Sequence, residues 1–319
     1  MKAYFLLKKI SFFVWKRMQE KLENNRNKLS ANQKIEIWRI VVLKRYYINN
    51  EKLNVHITEW GEKDKPVIFC LHGLGSTSLS FIEIAEELKE EYRLISIDAP
   101  GHGKTPPFER TKDYEMQNLA NWLNEIINEL KIEHFYFLSH SWGSFVALFY
   151  LLHNPEKVLG SILIDGGYQT KRLQEETLEE EIAYYEKDFE EYVFNSWDNF
   201  FKSEKEVYTR WSPLLELAVK DLGIEIDNKV WWHARGTTAG NIVRGMHKDE
   251  TIDIYEKLPA NIVLLRATVP QVWADYRDKT VNVFKEKTDS IVKVVPDTTH
   301  MLHWDKPEII IAEIKNNWS

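Results

Sequence analysis

The stretch Ser139-His140-Ser141-Trp142-Gly143 has the residue types and spacing to do chemistry. Residues 134–138 before it are apolar and aromatic and read as a buried strand. Residues 144–152 after it read as a helix. A serine among small residues on a strand-to-helix turn is the setting of a nucleophile elbow, which holds Oγ on a strained, exposed tip. Ser139 stands where that pattern usually has glycine, and serine is still small enough to let strand and helix approach. The competing reading is an ordinary strand–helix connection that contains a serine. A serine hydroxyl is a poor nucleophile unless an imidazole takes its proton. The imidazole in turn needs a carboxylate to hold its tautomer.

The elements that must position such a group alternate along the chain. Residues 43–49 and 53–60 read as a hairpin around the turn Asn49-Asn50-Glu51. Residues 67–71 are a continuous apolar run ending in His72-Gly73-Leu74-Gly75. Residues 78–90 are helical. Residues 92–97 form a strand ending in Asp98-Ala99-Pro100-Gly101-His102-Gly103. Residues 114–130 are a helix, and residues 158–164 are a strand ending in Asp165-Gly166-Gly167. Strands and helices at this spacing imply a parallel sheet covered on both faces. Residues 168–257 break the rhythm. They are rich in aromatics (Tyr184, Phe189, Trp197, Trp211, Trp231 and Trp232 among them), carry no strong strand, and read as an insertion of short helices. The alternation then resumes with strands at 261–267 and 291–295 and a helix at 308–316.

Composition limits the function classes. The 319 residues, 44% hydrophobic and 29% charged, are long enough to bury a core without staples. The single cysteine, Cys70, forms no internal disulfide, which favours a reducing, cytoplasmic setting. No Cys/His cluster has zinc spacing, and no P-loop or G-x-G-x-x-G occurs. The net charge of −7 gives no electrostatic reason to expect a nucleic-acid partner. The charge is uneven: residues 1–45 hold 12 Lys/Arg against three acids, or +9, which leaves −16 on the remainder. Residues 1–22 have helical apolar spacing interleaved with these cations. They read as a basic leader helix packed on the domain, or as a peripheral membrane contact. The longest uncharged run there, residues 10–15, is far too short to span a bilayer.

Trp60-Gly61, the His72-Gly73-Leu74-Gly75 turn, the Asp98 to Gly103 turn, the Ser141 motif and Asp297-Thr298-Thr299-His300 occur in the order of one family. Over roughly residues 43–319 the chain resembles the α/β-hydrolase fold family. That resemblance implies a mostly parallel eight-stranded sheet with helices on both faces. It divides the chain into a leader over 1–42, a core over 43–167 and 258–319, and a helical cap over 168–257. It also implies the order serine, acid, histidine. His300 follows the last strand where the family carries its catalytic histidine, and His303 three residues later is the rival. His72, His102 and His140 fall in motifs where histidines position loops. His134, His153, His233 and His247 have no special context.

The acid departs from the family pattern. Most members carry it after the seventh strand, beyond a glycine turn. Here that strand runs Leu264-Leu265-Arg266-Ala267-Thr268-Val269-Pro270, without glycine or carboxylate. Asp165, at the end of the sixth strand, fits a minority arrangement. Asp275 is the alternative, with Asp278 behind it. The oxyanion hole implied by the resemblance uses the Leu74 and Trp142 backbone N–H groups. The cap aromatics read mainly as packing, and the stretch from Arg235 to Asn241 is a candidate lining of the pocket. The implied activity is a serine hydrolase acting on a small carboxylic ester, or an amide or thioester, with no cofactor and no metal. A carbon–carbon bond hydrolase and a non-catalytic ligand receptor on the same fold are the alternatives.

Overall fold

The computed structural model describes residues 43–318. The leader helix region expected over residues 1–42 and the membrane contact expected of residues 1–22 lie outside the described residues. A hairpin opens the fold: β1 (Lys44–Asn49) pairs antiparallel with β2 (Asn54–Trp60). Then follow β3 (Val67–Leu71), α1 (Ile82–Leu88), β4 (Arg93–Ile97), α2 (Met116–Glu129), β5 (Phe135–His140), α3 (Trp142–His153) and β6 (Val158–Ile164). The helix expected over 78–90 begins as a single 3-10 turn, Ser78–Phe81, before α1. After an insertion come β10 (Ile262–Arg266), α8 (Ala274–Lys287), β11 (Ile291–Val294), the short α9 (Leu302–Asp305) and α10 (Pro307–Asn317).

The eight strands form one sheet in the order β1-β2-β4-β3-β5-β6-β10-β11, parallel from β4 onward. Successive strand residues face opposite sides, and the packing shows it. Phe69 and Leu71 pack with α2 and α3 (Leu119, Leu123, Val146) on one face. Ile68 and Cys70 pack with α1 and α10 (Ile82, Ala85, Ile310, Ile314) on the other. Each strand of the centre is therefore apolar on both sides, as its continuous run requires. Burial pushes the Cys70 thiol pKa up. The carboxyl ends of β3, β5, β6 and β10 open on one edge of the sheet, the edge where a parallel sheet presents its loops.

The insertion differs from the sequence reading in one respect. It does contain helices: α4 (Leu178–Glu191), α5 (Trp197–Lys205), α6 (Pro213–Asp221) and α7 (Gly236–Lys248). A capping box, Thr177 with Glu180, starts α4, and Ser196 and Ser212 cap α5 and α6. It also contains a three-stranded antiparallel sheet, β7 (Val193–Phe194), β9 (Lys229–Trp232) and β8 (Gly223–Ile226), where no strong strand was expected. Asp227 and Asn228, at φ 51° and 58°, form its two-residue hairpin turn. Two left-handed residues match the twist of the flanking strands. Most insertion aromatics are packing, as expected: Phe200, Phe201 and Tyr192 are buried with Leu215 and Val219. Among the described residues no helix is long and apolar enough to cross a membrane.

Candidate active site

Ser141 is the sharp point between β5 and α3. Its φ of 52° and ψ of −125° put a non-glycine residue in a costly conformation, of order 1–3 kcal/mol. The fold holds it there. The Ser141 N–H donates to the Ile164 carbonyl at 2.9 Å, and the Ser144 N–H donates to the Ser141 carbonyl at 2.9 Å. Ser139, standing for glycine, turns its hydroxyl to Ser144 Oγ at 3.0 Å and is fully buried. Gly166 is required for a steric reason: a Cβ there would lie 2.2 Å from the Ser141 carbonyl oxygen. The end of β6 is thereby pressed against the elbow.

Asp165 sits at that end, at φ 41° and fully buried. Its Oδ2 accepts from His300 Nδ1 at 2.7 Å. Its Oδ1 accepts from the Ala267 N–H and the Tyr168 hydroxyl, both at 3.0 Å. Burial pushes the carboxyl pKa up, but the hydrogen bond and charge of His300, with Arg277 and the Ala267 N–H, outweigh it. The net result is a carboxyl below the usual range. An ionised carboxylate only accepts, so Nδ1 of His300 carries the proton. The other ring nitrogen, Nε2, faces Ser141 Oγ at 2.7 Å as the acceptor. Serine, histidine and aspartate thus form one hydrogen-bonded line.

The His300 loop is tied down on several sides. Thr298 donates to the Val295 carbonyl at 2.7 Å, and its own carbonyl accepts from the Val269 N–H at 2.8 Å. Asp305 accepts from the Thr299 N–H and hydroxyl. His140 reaches the His300 carbonyl at 2.8 Å. The His300 side chain remains 38% exposed, so a reactant has access to it.

The other candidates lie elsewhere. Asp275 is an exposed residue in the first turn of α8, and Asp278 pairs with Arg266 at 2.7 Å on the surface. Neither contacts His300. His303 is buried in α9 rather than at the start of α10, with Nε2 2.9 Å from Ser80 Oγ and its pKa well below the ordinary value because of burial. His72 and His102 position the upstream turn. His72 Nδ1 donates to the Gly73 carbonyl, and its Nε2 accepts from the Ala99 N–H at 3.0 Å. His102 Nε2 accepts from the Gly75 N–H at 3.0 Å, and its Nδ1 faces the Pro100 carbonyl. His247 pairs with buried Glu181 at 2.7 Å in the insertion.

The two backbone amides expected of an oxyanion hole, Leu74 and Trp142, lie beside Ser141. The Gly75 N–H is taken by His102 and the Ser76 N–H by the Gly73 carbonyl, whereas the Leu74 N–H just before them has no backbone acceptor among the described residues. Trp142 is the first residue of α3, where an amide has no helical acceptor. The two segments touch: a Cβ at Gly73 would lie 2.9 Å from Ser141 Cβ. Leu74 is half-buried on a cluster of Phe189, Ala234 and Ala239 in the insertion, on which Tyr185 and Trp232 also pack. The Trp142 side chain is buried instead, with its ring stacked on His102 at 5.7 Å. Of the stretch from Arg235 to Asn241, Arg235 and Thr238 line a cleft of about 560 Å³ with Tyr47, Lys104 and His233. Ser141 and His300 are not among its lining residues. Among the described residues no cluster of His, Cys, Asp or Glu is placed to hold a metal ion.

Sequence reasoning did not find Tyr168, Arg277 or the Ala267 N–H around the acid. It also missed the bond from His140 to the His300 loop. Tyr168, three residues after Asp165, was within reach of a local reading; the others depend on how distant strands and helices meet.

Comparison with known proteins bears on the fold. Residues 66–307 match the family model described as alpha/beta hydrolase fold. Human epoxide hydrolase 4 is 28% identical over 118 residues, covering 37% of this chain and 33% of its own. Protein phosphatase methylesterase 1 of Debaryomyces hansenii is 34% identical over 119 residues, 31% of this chain and 29% of its own. The matched stretch thus spans about a third of these relatives' length. The crystal structure of E-2-(acetamidomethylene)succinate hydrolase superposes with a TM-score of 0.71 at 19% identity, covering 86% of this chain and 99% of that one. The family match spans both halves of the sheet and the insertion between them, so the chain belongs to the alpha/beta hydrolase fold family.

Proposed function

We propose that this protein is a serine hydrolase that cleaves a small carboxylic ester through an acyl-enzyme on Ser141. The observation that carries the reading is the pair of 2.7 Å hydrogen bonds from His300 to Ser141 Oγ and to Asp165. His300 Nε2 takes the Ser141 proton as Oγ attacks the ester carbonyl. The carbonyl oxygen becomes an oxyanion between the Leu74 and Trp142 amides, each such donor being worth about 3 kcal/mol. His300 then protonates the leaving alcohol, and a water activated by the same nitrogen releases the acid. Asp165 holds the ring and stabilises its charged form without itself taking the proton.

Family membership, the methylesterase match and a solved naproxen esterase of similar fold support hydrolysis of an ester. The match to epoxide hydrolase 4 is weighed against the elbow residue. A serine there forms an acyl-enzyme, whereas the epoxide-opening branches of the family use an aspartate. The insertion over residues 168–257 acts in this reading as a cap, packing Leu74 on its Phe189, Ala234 and Ala239 cluster beside the acyl site. The test is labelling by a fluorophosphonate probe and turnover of short p-nitrophenyl esters. Wild type is labelled and turns over, and Ser141→Ala does neither. An equally labelled Ser141→Ala protein, or a wild type without either property, overturns the proposal and leaves a binding module.

A further inference from the structure

Behind the acid lies a charge that the reaction does not use. Arg277, on α8, is 6% exposed, and its Nη2 is 3.9 Å from Asp165 Oδ2. The same guanidinium donates to the carbonyls of Val269 at 3.1 Å and Pro270 at 3.2 Å. These two carbonyls belong to the loop after β10. Arg277 therefore binds that loop to α8 and places a full positive charge beside a fully buried carboxylate.

An isolated buried carboxylate is costly, and a neutral histidine does not compensate its charge. General-base action needs His300 neutral, and in that form Arg277 is the nearest permanent counter-charge. We propose that Arg277 is a positioning residue for this chain's acid: it keeps Asp165 ionised while His300 is neutral, and it limits how strongly Asp165 favours a protonated His300. The proposal rests on the serine hydrolase reading for its kinetic part only. Other groups face the pair as well. Tyr168 donates to Asp165, and Arg266 is neutralised by Asp278. His140 packs on His300 and His303 on His140, both buried and uncharged. Asp305 holds Thr299 just before it. None of these supplies a cation at the carboxylate.

The experiment compares the pH dependence of kcat/KM for a p-nitrophenyl ester in wild type, Arg277→Gln and Arg277→Lys. Loss of the cation lets Asp165 favour the charged imidazole more, so the acid limb for the glutamine variant moves to higher pH. The expected move is about one pH unit for a charge removed at this range. Lysine keeps the charge and leaves the limb within about 0.3 unit of wild type. Equal movement in both variants, or none in either, overturns the proposal, because loss of the loop hydrogen bonds alone acts on rate and not on the position of the limb. Urea melts supply a second readout that does not need activity. Arg277→Gln leaves an uncompensated buried carboxylate, so Asp165→Asn/Arg277→Gln is more stable than Arg277→Gln alone. A double variant no more stable than the single one, both unfolded included, also overturns it. If wild type shows no Ser141-dependent turnover, the functional reading fails and the melts alone decide the pairing.

Discussion

His140 Nε2 lies 2.8 Å from the carbonyl oxygen of His300, so the residue before Ser141 holds the backbone of His300. A carbonyl only accepts, which puts the proton of His140 on Nε2. Burial, with the charge of His300 second, lowers the His140 pKa to about 3, so this donor persists across the neutral range. The bond ties the Ser141 turn and the His300 loop together.

The variant His140→Leu keeps bulk but leaves the His300 carbonyl without its donor. Misplacing a base by a fraction of an ångström to one ångström costs about 10- to 100-fold in kcat. That loss, with KM little changed, is expected for ester turnover. Glutamine presents an N–H at similar reach, so His140→Gln recovers most of the rate. Equal loss in both variants shows that the ring's bulk, not its hydrogen bond, is what matters.

Asp165→Asn keeps the shape but turns the His300 partner into a donor or a neutral acceptor, which disfavours the working tautomer. The expected fall in kcat is about 10⁴-fold. Asp275→Asn and Asp278→Asn stay within about two-fold of wild type, because surface substitutions far from the chemistry change little. Parallel turnover measurements on the three variants check this, and a collapse in Asp275→Asn alone refutes the assignment of the acid.

Stability is expected to fall early on acidification. His72, His102, His140 and His303 are fully or nearly fully buried, and burial lowers the pKa of each. His102 is lowered to about 3, by burial first and by His72 second. In the unfolded chain such groups protonate near pH 6.5. Above that pH their neutral forms cost the native state nothing. Below it the unfolded state binds protons that the native state refuses, so stability drops as pH falls. Each histidine adds a slope of up to about 1.4 kcal/mol per pH unit. The buried carboxylates Asp98 and Asp165, held below their ordinary range, withdraw their contributions only at lower pH, below about 4. Urea midpoints at several pH values check the window: they decline between about pH 6.5 and 4.5, and a flat line there contradicts the reading.

The sheet was legible because each central strand is a short apolar run ending in a turn with glycine. Ser141 and His300 were legible because strand and helix flank the first and the last strand precedes the second. Asp165 was legible only as one of three acids, since its hydrogen bond to His300 spans 135 residues. Arg277 and the Ala267 N–H were not legible at all: they meet Asp165 through the packing of α8 and the register of β6 with β10. The small sheet of the insertion carried a local signal, Asp227-Asn228 between Ile226 and Lys229. Aromatic residues around it matched helix packing equally well and hid the two-residue alternation.

The place of Asp165 also decides how the chain can be divided. Leu74, Ser141, Trp142 and Asp165 precede the insertion, and only His300 follows it. A break at the Asp227-Asn228 turn therefore yields two pieces that are each inert, one holding Ser141 and Asp165 and the other His300. Turnover then reports their reassembly. An acid after β10 would instead have travelled with the histidine and left the serine alone on the first piece.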